Sequence, residues 1–506
     1  MDTIRKLYHS FSKSEVRYLR DYLNAFHHKG DNKSLELIAA LEKYPDISNR
    51  EMATLLYGDP QSKAFIMLKS RLVEKMLETL SLSANLQNNP LFRDDPASSE
   101  AIRLHKEIIN ATVLRRRGLN DLAIEILTDA AEQARKQGMP ELRLTALVHL
   151  RNMSKSAEEV TGPLRAAIHE ARDAYLSDLE GIELYDEYHV MMIGHHHTLT
   201  DERVREFEAR LPELRARLET HYSPRAHYYS LVCQQYINDH FERLDASRQT
   251  FEELLNLLNR EPGLGQRNRM GTPWFQLAQI EIKLRHFGKG LEALEQCLEY
   301  FAPKKSNAVS ASIYKAFAQI YLGDAEGAVL TLGNLKWFTQ DFPKDPKSGI
   351  ISYLYTCTYF LTQKYKEAWE LLSESEDLMQ DKQGWNGGIR AFEIMLLIER
   401  GHTDMASAKI ESMRKHIGKY TVEKRIHLIH RFFQQLEKNS YDFSQPSHEM
   451  QEAMKNIHLT DWEPLSYEVS RFDTWVRAKS SGKGIYELLL QELFEEAESH
   501  STSFSP

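Results

Sequence analysis

The stretch WFQLAQIEIKLRHFGKGLEALEQCL, Trp274–Leu298, carries two apolar stripes at helical spacing, broken by a polar elbow. Trp274, Leu277, Ala278 and Ile282 fall near one face of a first helix, and Phe287, Leu291, Leu294 and Leu298 do the same in a second. Two helices joined by an elbow as short as RHFGK lie antiparallel. Slender residues at their crossing let the axes approach to about 8–10 Å. Ala278 against Gly290 is the expected crossing. A mid-helix glycine costs roughly 1 kcal/mol, a cost that close approach must offset.

The pattern recurs. The small residue that opens the second helix reappears as Gly290, Ala328, Ala368 and Ala406, at separations of 38, 40 and 38, and an apolar residue follows four later as Leu294, Leu332, Leu372 and Ile410. The stretches 314–332, 353–372 and 391–410 each repeat the apolar helix, the short elbow and the small-residue helix. Breakers punctuate them: Pro303, Pro343 with Pro346, and GWNGG at 384–388. A fixed period of this size means stacked helical hairpins.

These residues resemble the tetratricopeptide family. Trp274, Leu277, Ala278, Phe287, Gly290, Leu294, Cys297 and Pro303 follow its signature, and Ala111, Leu114, Gly118, Ala123, Leu127 and Ala130 form a second match. The period here is longer than the family's repeat of about 34 residues. Thr356 and Ile394 stand where a small residue is usual, and 140–260 matches loosely. The likeness covers about two thirds of the chain as degenerate repeats. It implies an all-α solenoid of stacked antiparallel hairpins whose concave face binds peptides or partner proteins, and it names no ligand. The overall layout is also similar to helical proteins of Bacteroidetes-type bacteria, a likeness that implies no activity.

Composition agrees. Among 506 residues there are 16 prolines and 23 glycines, charged residues make up 27%, and runs of alternating β-branched residues are almost absent. A net charge of -9 provides no whole-chain attraction for nucleic acid or anionic lipid. Cys233, Cys297 and Cys357 lie far apart inside apolar patterns, which reads as reduced core thiols. The opening MDTIRKLYHSFSKSE has no apolar run of signal-peptide length, and IMLLI at 394–398 is flanked by Glu393 and Glu399. The expectation is a cytoplasmic chain with no membrane segment.

Three regions follow: an N-terminal helical segment over 1–85, repeats over 100–437, and capping helices over 448–498. LQNNPLFRDDPASS (86–99) reads as a linker and NSYDFSQPS (439–447) as a boundary. In the first region Phe11, Val16, Leu19 and Leu23 outline one helix, and Leu35, Leu37, Ile38 and Leu41 another. Ser48 with Glu51 forms a capping box, so a short helix starts there and stops at Gly58-Asp59-Pro60 before a longer one through Phe65, Leu68, Leu72, Met76 and Leu80. With Lys63, Lys69, Arg71 and Lys75, residues 48–80 are similar to a helix-turn-helix or winged-helix module that touches DNA. Glu74 and Glu78 interrupt that basic face, and an N-terminal helical cap is the plainer reading. In the last region Trp462, Leu465, Phe472 and Trp475 are expected to pack over the final hairpin as a cap. The tail SHSTSFSP reads as disordered.

Little points to catalysis. His195, His196 and His197 are adjacent, with His189 six residues earlier, whereas helical metal ligands sit three or four apart; a helix end near Gly194 explains the run, and Asp186 and Glu187 need not add ligands. GLGQRNRMG (263–271) lacks phosphate-loop spacing and follows a helix rather than a strand, and SSGKG (480–484) is no Walker sequence. No cofactor and no enzymatic activity is expected. On the inner groove, first helices align Phe275, Lys315, Tyr353 and Ala391 in one row, with Gln279, Gln319, Cys357 and Met395 beside them. The expected partner surface is therefore Phe275, Gln279, Lys315, Gln319, Tyr353 and Cys357, set against a merely packed face. The leading reading is a non-enzymatic scaffold binding a protein or peptide. The alternative is a transcriptional or signalling regulator with DNA at residues 48–80 and a ligand-sensing repeat domain.

Overall fold

A computed structural model describes residues 2–25, 32–83, 96–153, 162–194, 200–264, 267–373, 385–420, 422–457 and 463–502, and among these the regular elements are all helical. The chain divides into two compact units, Met1–Ser99 and Glu100–Pro506.

The first unit holds α1 (Asp2–Ser10), α2 (Lys13–Ala25), α3 (Lys33–Lys43), α4 (Asn49–Tyr57) and α5 (Lys63–Ser83). Phe11 lies between α1 and α2 rather than inside one helix. Ser12 and Glu15 form a reciprocal cap there, the Ser12 N–H donating to the Glu15 carboxylate and the Glu15 N–H to the Ser12 hydroxyl. Ser48 and Glu51 cap α4 in the same way, and Gly58, left-handed at φ 74°, ends it. Leu19, Leu37, Ile38, Met52, Leu72 and Met76 fill the small core.

The boundary falls in the first turn of α6 (Pro96–Arg116), and the second unit continues with α7 (Asn120–Lys136), then α8 (Pro140–Arg151) and the 32-residue α9 (Pro163–Gly194). Next come α10 (Asp201–Glu208) and α11 (Leu211–Thr220), which with the far half of α9 and part of α12 (Pro224–His240) bury Leu184, Tyr188, Phe207, Leu214 and Ile237. This insertion is why 140–260 follows the repeat pattern loosely. Hairpins resume with α12 and α13 (Leu244–Arg260), α14 (Arg267–Lys283) and α15 (Phe287–Tyr300), and α16 (Ser306–Tyr321) and α17 (Ala325–Gly333). After the short α18 (Lys336–Asp341) follow α19 (Pro346–Leu361) with α20 (Tyr365–Ser373), α21 (Trp385–Glu399) with α22 (Thr403–Lys419), and α23 (Lys424–Lys438) with α24 (His448–Asn456). The chain closes with α25 (Phe472–Ser481) and α26 (Ile485–Thr502).

One turn geometry builds the hairpins. Gly118, Glu242, Arg285, Gly323, Gln363 and Gly401 all have positive φ, from 52° to 84°. In each case the N–H of the following residue reaches the carbonyl five residues back, at 2.8–3.0 Å: Leu119 to Leu114, Arg243 to Asn238, His286 to Glu281, Asp324 to Gln319, Lys364 to Tyr359 and His402 to Leu397. This 6→1 bond satisfies a carbonyl that the helix end would otherwise orphan. It also fixes the direction in which the second helix departs.

Five residues after each elbow stands Ala123, Ser247, Gly290, Ala328, Ala368 or Ala406, every one buried. Seven residues before it stand Ala111, Gln235, Ala278, Ala316, Thr356 and Ile394, buried as well. The Ala278–Gly290 crossing is tight: a Cβ on Gly290 would lie 2.7 Å from Ile282 Cγ1 and 3.3 Å from the Ala278 carbonyl oxygen. The small-residue row thus extends upstream of the recurrence visible in sequence, to Ala123 and Ser247. The Gln235–Ser247 pair replaces bulk with a hydrogen bond of 3.1 Å from the amide to the hydroxyl.

The closing region reaches the last hairpin, with Phe472 on Phe432 and Phe433 of α23 and Trp475 on Phe443, and it also extends well beyond that hairpin. Phe472, Trp475, Val476, Ile485, Leu489 and Leu493 belong to the same buried core as residues from Ala278 to Ile457. Trp475 is 1% exposed, packs on Phe443 and Phe472, and donates its indole N–H to Glu399 at 2.7 Å. The Tyr486 hydroxyl reaches the Ile320 carbonyl on α16 at 2.7 Å. Trp462 lies outside the described residues.

Gly290→Leu will overpack the crossing and lower unfolding stability by about 1–3 kcal/mol, read by urea denaturation. Acid is a second test. His430 is buried on α23 with its Nε2 unpartnered, and burial holds its pKa below the ordinary 6.5. The unfolded chain therefore takes a proton first as pH falls through 6.5, so stability held above that pH is lost below it. His430→Gln should flatten the fall in urea midpoint between about pH 7 and pH 5 relative to wild type.

Candidate functional site

The left-handed elbow supplies an alignment that side-chain type alone does not. Ten residues before it stand Val232, Phe275, Ile313, Tyr353 and Ala391; six before it stand Tyr236, Gln279, Phe317, Cys357 and Met395. Four of the six residues expected to form the partner surface fall in these rows. Lys315 and Gln319 do not, because they sit two residues out of register. Lys315 instead pairs with Glu295 on α15 at 2.9 Å, and Gln319 serves its own elbow, donating to Asp324 and accepting from Thr331.

From α16 onward the rows are closed. Ile313, Phe317, Tyr353, Cys357, Ala391 and Met395 are all buried, and the chain's own C-terminal region lies over part of them. The Tyr353 hydroxyl donates to the Tyr467 carbonyl and the Tyr321 hydroxyl to the Val469 carbonyl, contacts spanning 114 and 148 residues. Tyr353 and Cys357 therefore line no open groove in this structure.

Upstream the rows stay accessible. On α14, Phe275 is half-buried edge-on to Phe301 and Tyr314, Gln279 hydrogen-bonds to Tyr314, and Lys283 is exposed. On α12, Tyr229 and Tyr236 are half-buried. Tyr185 on α9 packs on both, at ring separations of 5.1 and 6.4 Å, and stacks on exposed His189 at 5.5 Å. Tyr188 stacks on Tyr236 at 5.2 Å and fixes it by donating to its carbonyl. Behind these rings, Gln235 bonds Asp239 at 2.6 Å and Asn238 bonds Thr250 at 3.1 Å, polar contacts that add to the apolar cluster of Leu231, Phe251 and Leu254 joining α12 to α13. The accessible surface thus combines aromatic faces, one amide and one ammonium. Tyr229 and Tyr236 escaped sequence reading because no glycine marks the α12 elbow, which Glu242 occupies, and Tyr185 because α9 lies outside the recurring hairpins.

Other sequence candidates dissolve into structure. Glu187 accepts from Arg210 at 2.6 Å, and Arg269 lies over the Tyr228 ring at 5.4 Å. A Cβ on Gly263 would lie 1.9 Å from the Gln137 carbonyl oxygen, so that glycine permits close passage of two loops. His195–His197 and Gly265–Gln266 lie outside the described residues, and among the described ones no group of metal-ligating side chains assembles. In the first unit Lys69 contacts Asn49 and the Phe65 ring, and Lys75 pairs with Glu78 at 2.7 Å, so two of the five cations of residues 48–80 are engaged within the fold. No helix among the described residues is long and apolar enough to cross a membrane.

Neither a protein-family profile nor a curated protein matches this chain. Among solved structures it is similar to the crystal structure of a Rap protein complexed with competence and sporulation factor. The TM-score is 0.41 and the identity 9%, over 74% of this chain and 99% of that one. A likeness at that level says nothing of a ligand here, and the site is read from its own residues.

Cys233, Cys297 and Cys357 are buried, and burial pushes the first two thiols up to about 12 and Cys357 higher still. A thiolate reagent at pH 8 should label none of the three in the folded chain and all three in urea.

Proposed function

We propose that this chain is a non-enzymatic, tetratricopeptide-like scaffold that binds a peptide or a segment of a partner protein on its first-helix face, at the accessible rows of α12 and α14. The observation that carries this reading is the contrast along one face. Where the rows are closed, tyrosine hydroxyls hold the backbone carbonyls of an irregular stretch of chain; where they are accessible, the same rows present Tyr236, Phe275 and Gln279, each only half-buried among the described residues. Aromatic faces and amides suit a peptide, whose main chain offers a carbonyl and an N–H at almost every residue. The rigid polar network under Tyr236 lets the surface receive a ligand without first ordering itself, so less binding energy is lost to rearrangement.

A displayed random-peptide library panned against the full chain tests this. Enriched peptides should lose at least about tenfold in affinity, or about 1.4 kcal/mol, when Tyr236→Ala and Gln279→Ala are combined. They should be indifferent to Lys315→Ala, which alters the second-helix side. No enrichment, or equal binding to the double variant, would end the proposal.

A further inference from the structure

One hairpin departs from the others at the end of its first helix. Three residues before the left-handed elbow, Ile282, Ile320, Phe360 and Ile398 are apolar and buried. Arg115 takes that position on α6 and is exposed. On α12 it is Asp239, exposed as well. The Asp239 Oδ1 accepts from the Gln235 amide at 2.6 Å and from the Ser247 hydroxyl of α13 at 3.4 Å. Gln235 and Ser247 are both buried, so they fix the carboxylate in one place. Among the described residues no donor reaches its Oδ2 and no cation comes within ion-pair distance of it. The Oε1 of Gln235 is also buried without a donor, so this hairpin end holds acceptors that the chain leaves unmatched.

The carboxylate borders the accessible surface. Tyr236 stands three residues before Asp239, a spacing that sets two side chains next to each other on a helix. Burial pushes the Asp239 pKa up, whereas the bonds from Gln235 and Ser247 and, last, the Lys283 ammonium of α14 oppose that shift. Lys283 does so from beyond ion-pair distance. The ionised carboxylate has therefore lost hydration that no neighbouring cation replaces. A guanidinium or ammonium would replace it, while the apolar stem behind that charge lies along the tyrosine rings.

We propose that the peptide held on the α12 and α14 rows carries a basic residue, arginine or lysine, whose side chain lies along Tyr236 and ends on the Asp239 carboxylate. This rests on the reading of those rows as a peptide surface and adds the charge that the occupant bears. Lys283 is a like charge to that residue and weakens the attraction. An acidic occupant would reverse the two roles, with Lys283 as partner and Asp239 as obstacle. The basic one is favoured because buried partners hold Asp239 in place, whereas Lys283 is an exposed ammonium on a flexible stem.

The probes are two synthetic peptide libraries, random except at one central position, which is arginine or lysine in the first and citrulline or acetyl-lysine in the second. Both are panned against the full chain at pH 7, and selected peptides are titrated against wild type and Asp239→Asn. Asparagine keeps an oxygen to accept from Gln235 and Ser247, so the urea midpoint should not move. Peptides from the first library should lose at least about tenfold in affinity for Asp239→Asn. Exchanging their central residue for its neutral counterpart should cost as much on wild type, and the neutral peptides should bind both chains alike. That exchange tests the charge on the unaltered chain even if the variant folds poorly. Lys283→Gln should bind the basic peptides as well as wild type or better. Peptides that need Tyr236 and Gln279 yet ignore both changes would overturn the basic residue and leave the peptide surface standing. A loss at Lys283→Gln in place of Asp239→Asn would overturn it in favour of an acidic ligand. If neither library yields a binder, the surface fails and this inference with it.

Discussion

Every hairpin of the repeat array with a described elbow depends on one residue held in the left-handed conformation and on the 6→1 hydrogen bond that its neighbour completes. Glycine takes that position at 118, 323 and 401, where it has no Cβ to strain. Arg285, Gln363 and Glu242 take it elsewhere, so the bond and the packing of two helices offset a strain that an isolated helix end would relieve by fraying. Once the turn is fixed, the residue five positions on must face the first helix. Only a slender side chain fits there, and the sequence shows alanine, serine or glycine six times over.

That coupling explains what was legible beforehand and what was not. The period was readable because a steric demand acts on one side chain per hairpin, and a shortage of volume leaves a mark in sequence. The register of α16 was not, because Ala316 and Ala318 are both buried alanines and either could be the crossing residue. Aligning Tyr314 with Trp274 favours Ala318, whereas the elbow at Gly323 selects Ala316 and moves Lys315 and Gln319 out of the rows. Glu242 hid the α12 register for a similar reason. Its left-handed φ comes from its surroundings, and residue type does not announce it.

The path of the C-terminal region was the least legible feature. Leu465, Phe472 and Trp475 look like capping residues because they are apolar and late in the chain, and helical periodicity speaks only of neighbours a few positions away. Phe472 and Trp475 do meet α23, but Trp475 also reaches Glu399 on α21, and Tyr467, Val469 and Tyr486 reach α19 and α16, contacts fixed by three-dimensional fit. The result is one continuous core from Ala278 to Leu493, beside smaller separate clusters around α7, α11 and α13. The same inner rows are thus covered in one half of the repeat unit and accessible in the other.

The bond from Tyr486 to Ile320 joins residues 166 positions apart. At a synthesis rate of about 5–20 residues per second, roughly 8–30 s pass on the ribosome between the appearance of α16 and that of its covering helix. Within that interval Tyr353 can already pack on Trp385 and Phe392 of α21, whereas the Ile320 carbonyl and the Tyr321 hydroxyl of α16 wait for the partners that emerge last. The finished surface of α16 is thus a product of the end of synthesis, and the hairpin that carries it forms long before it is covered.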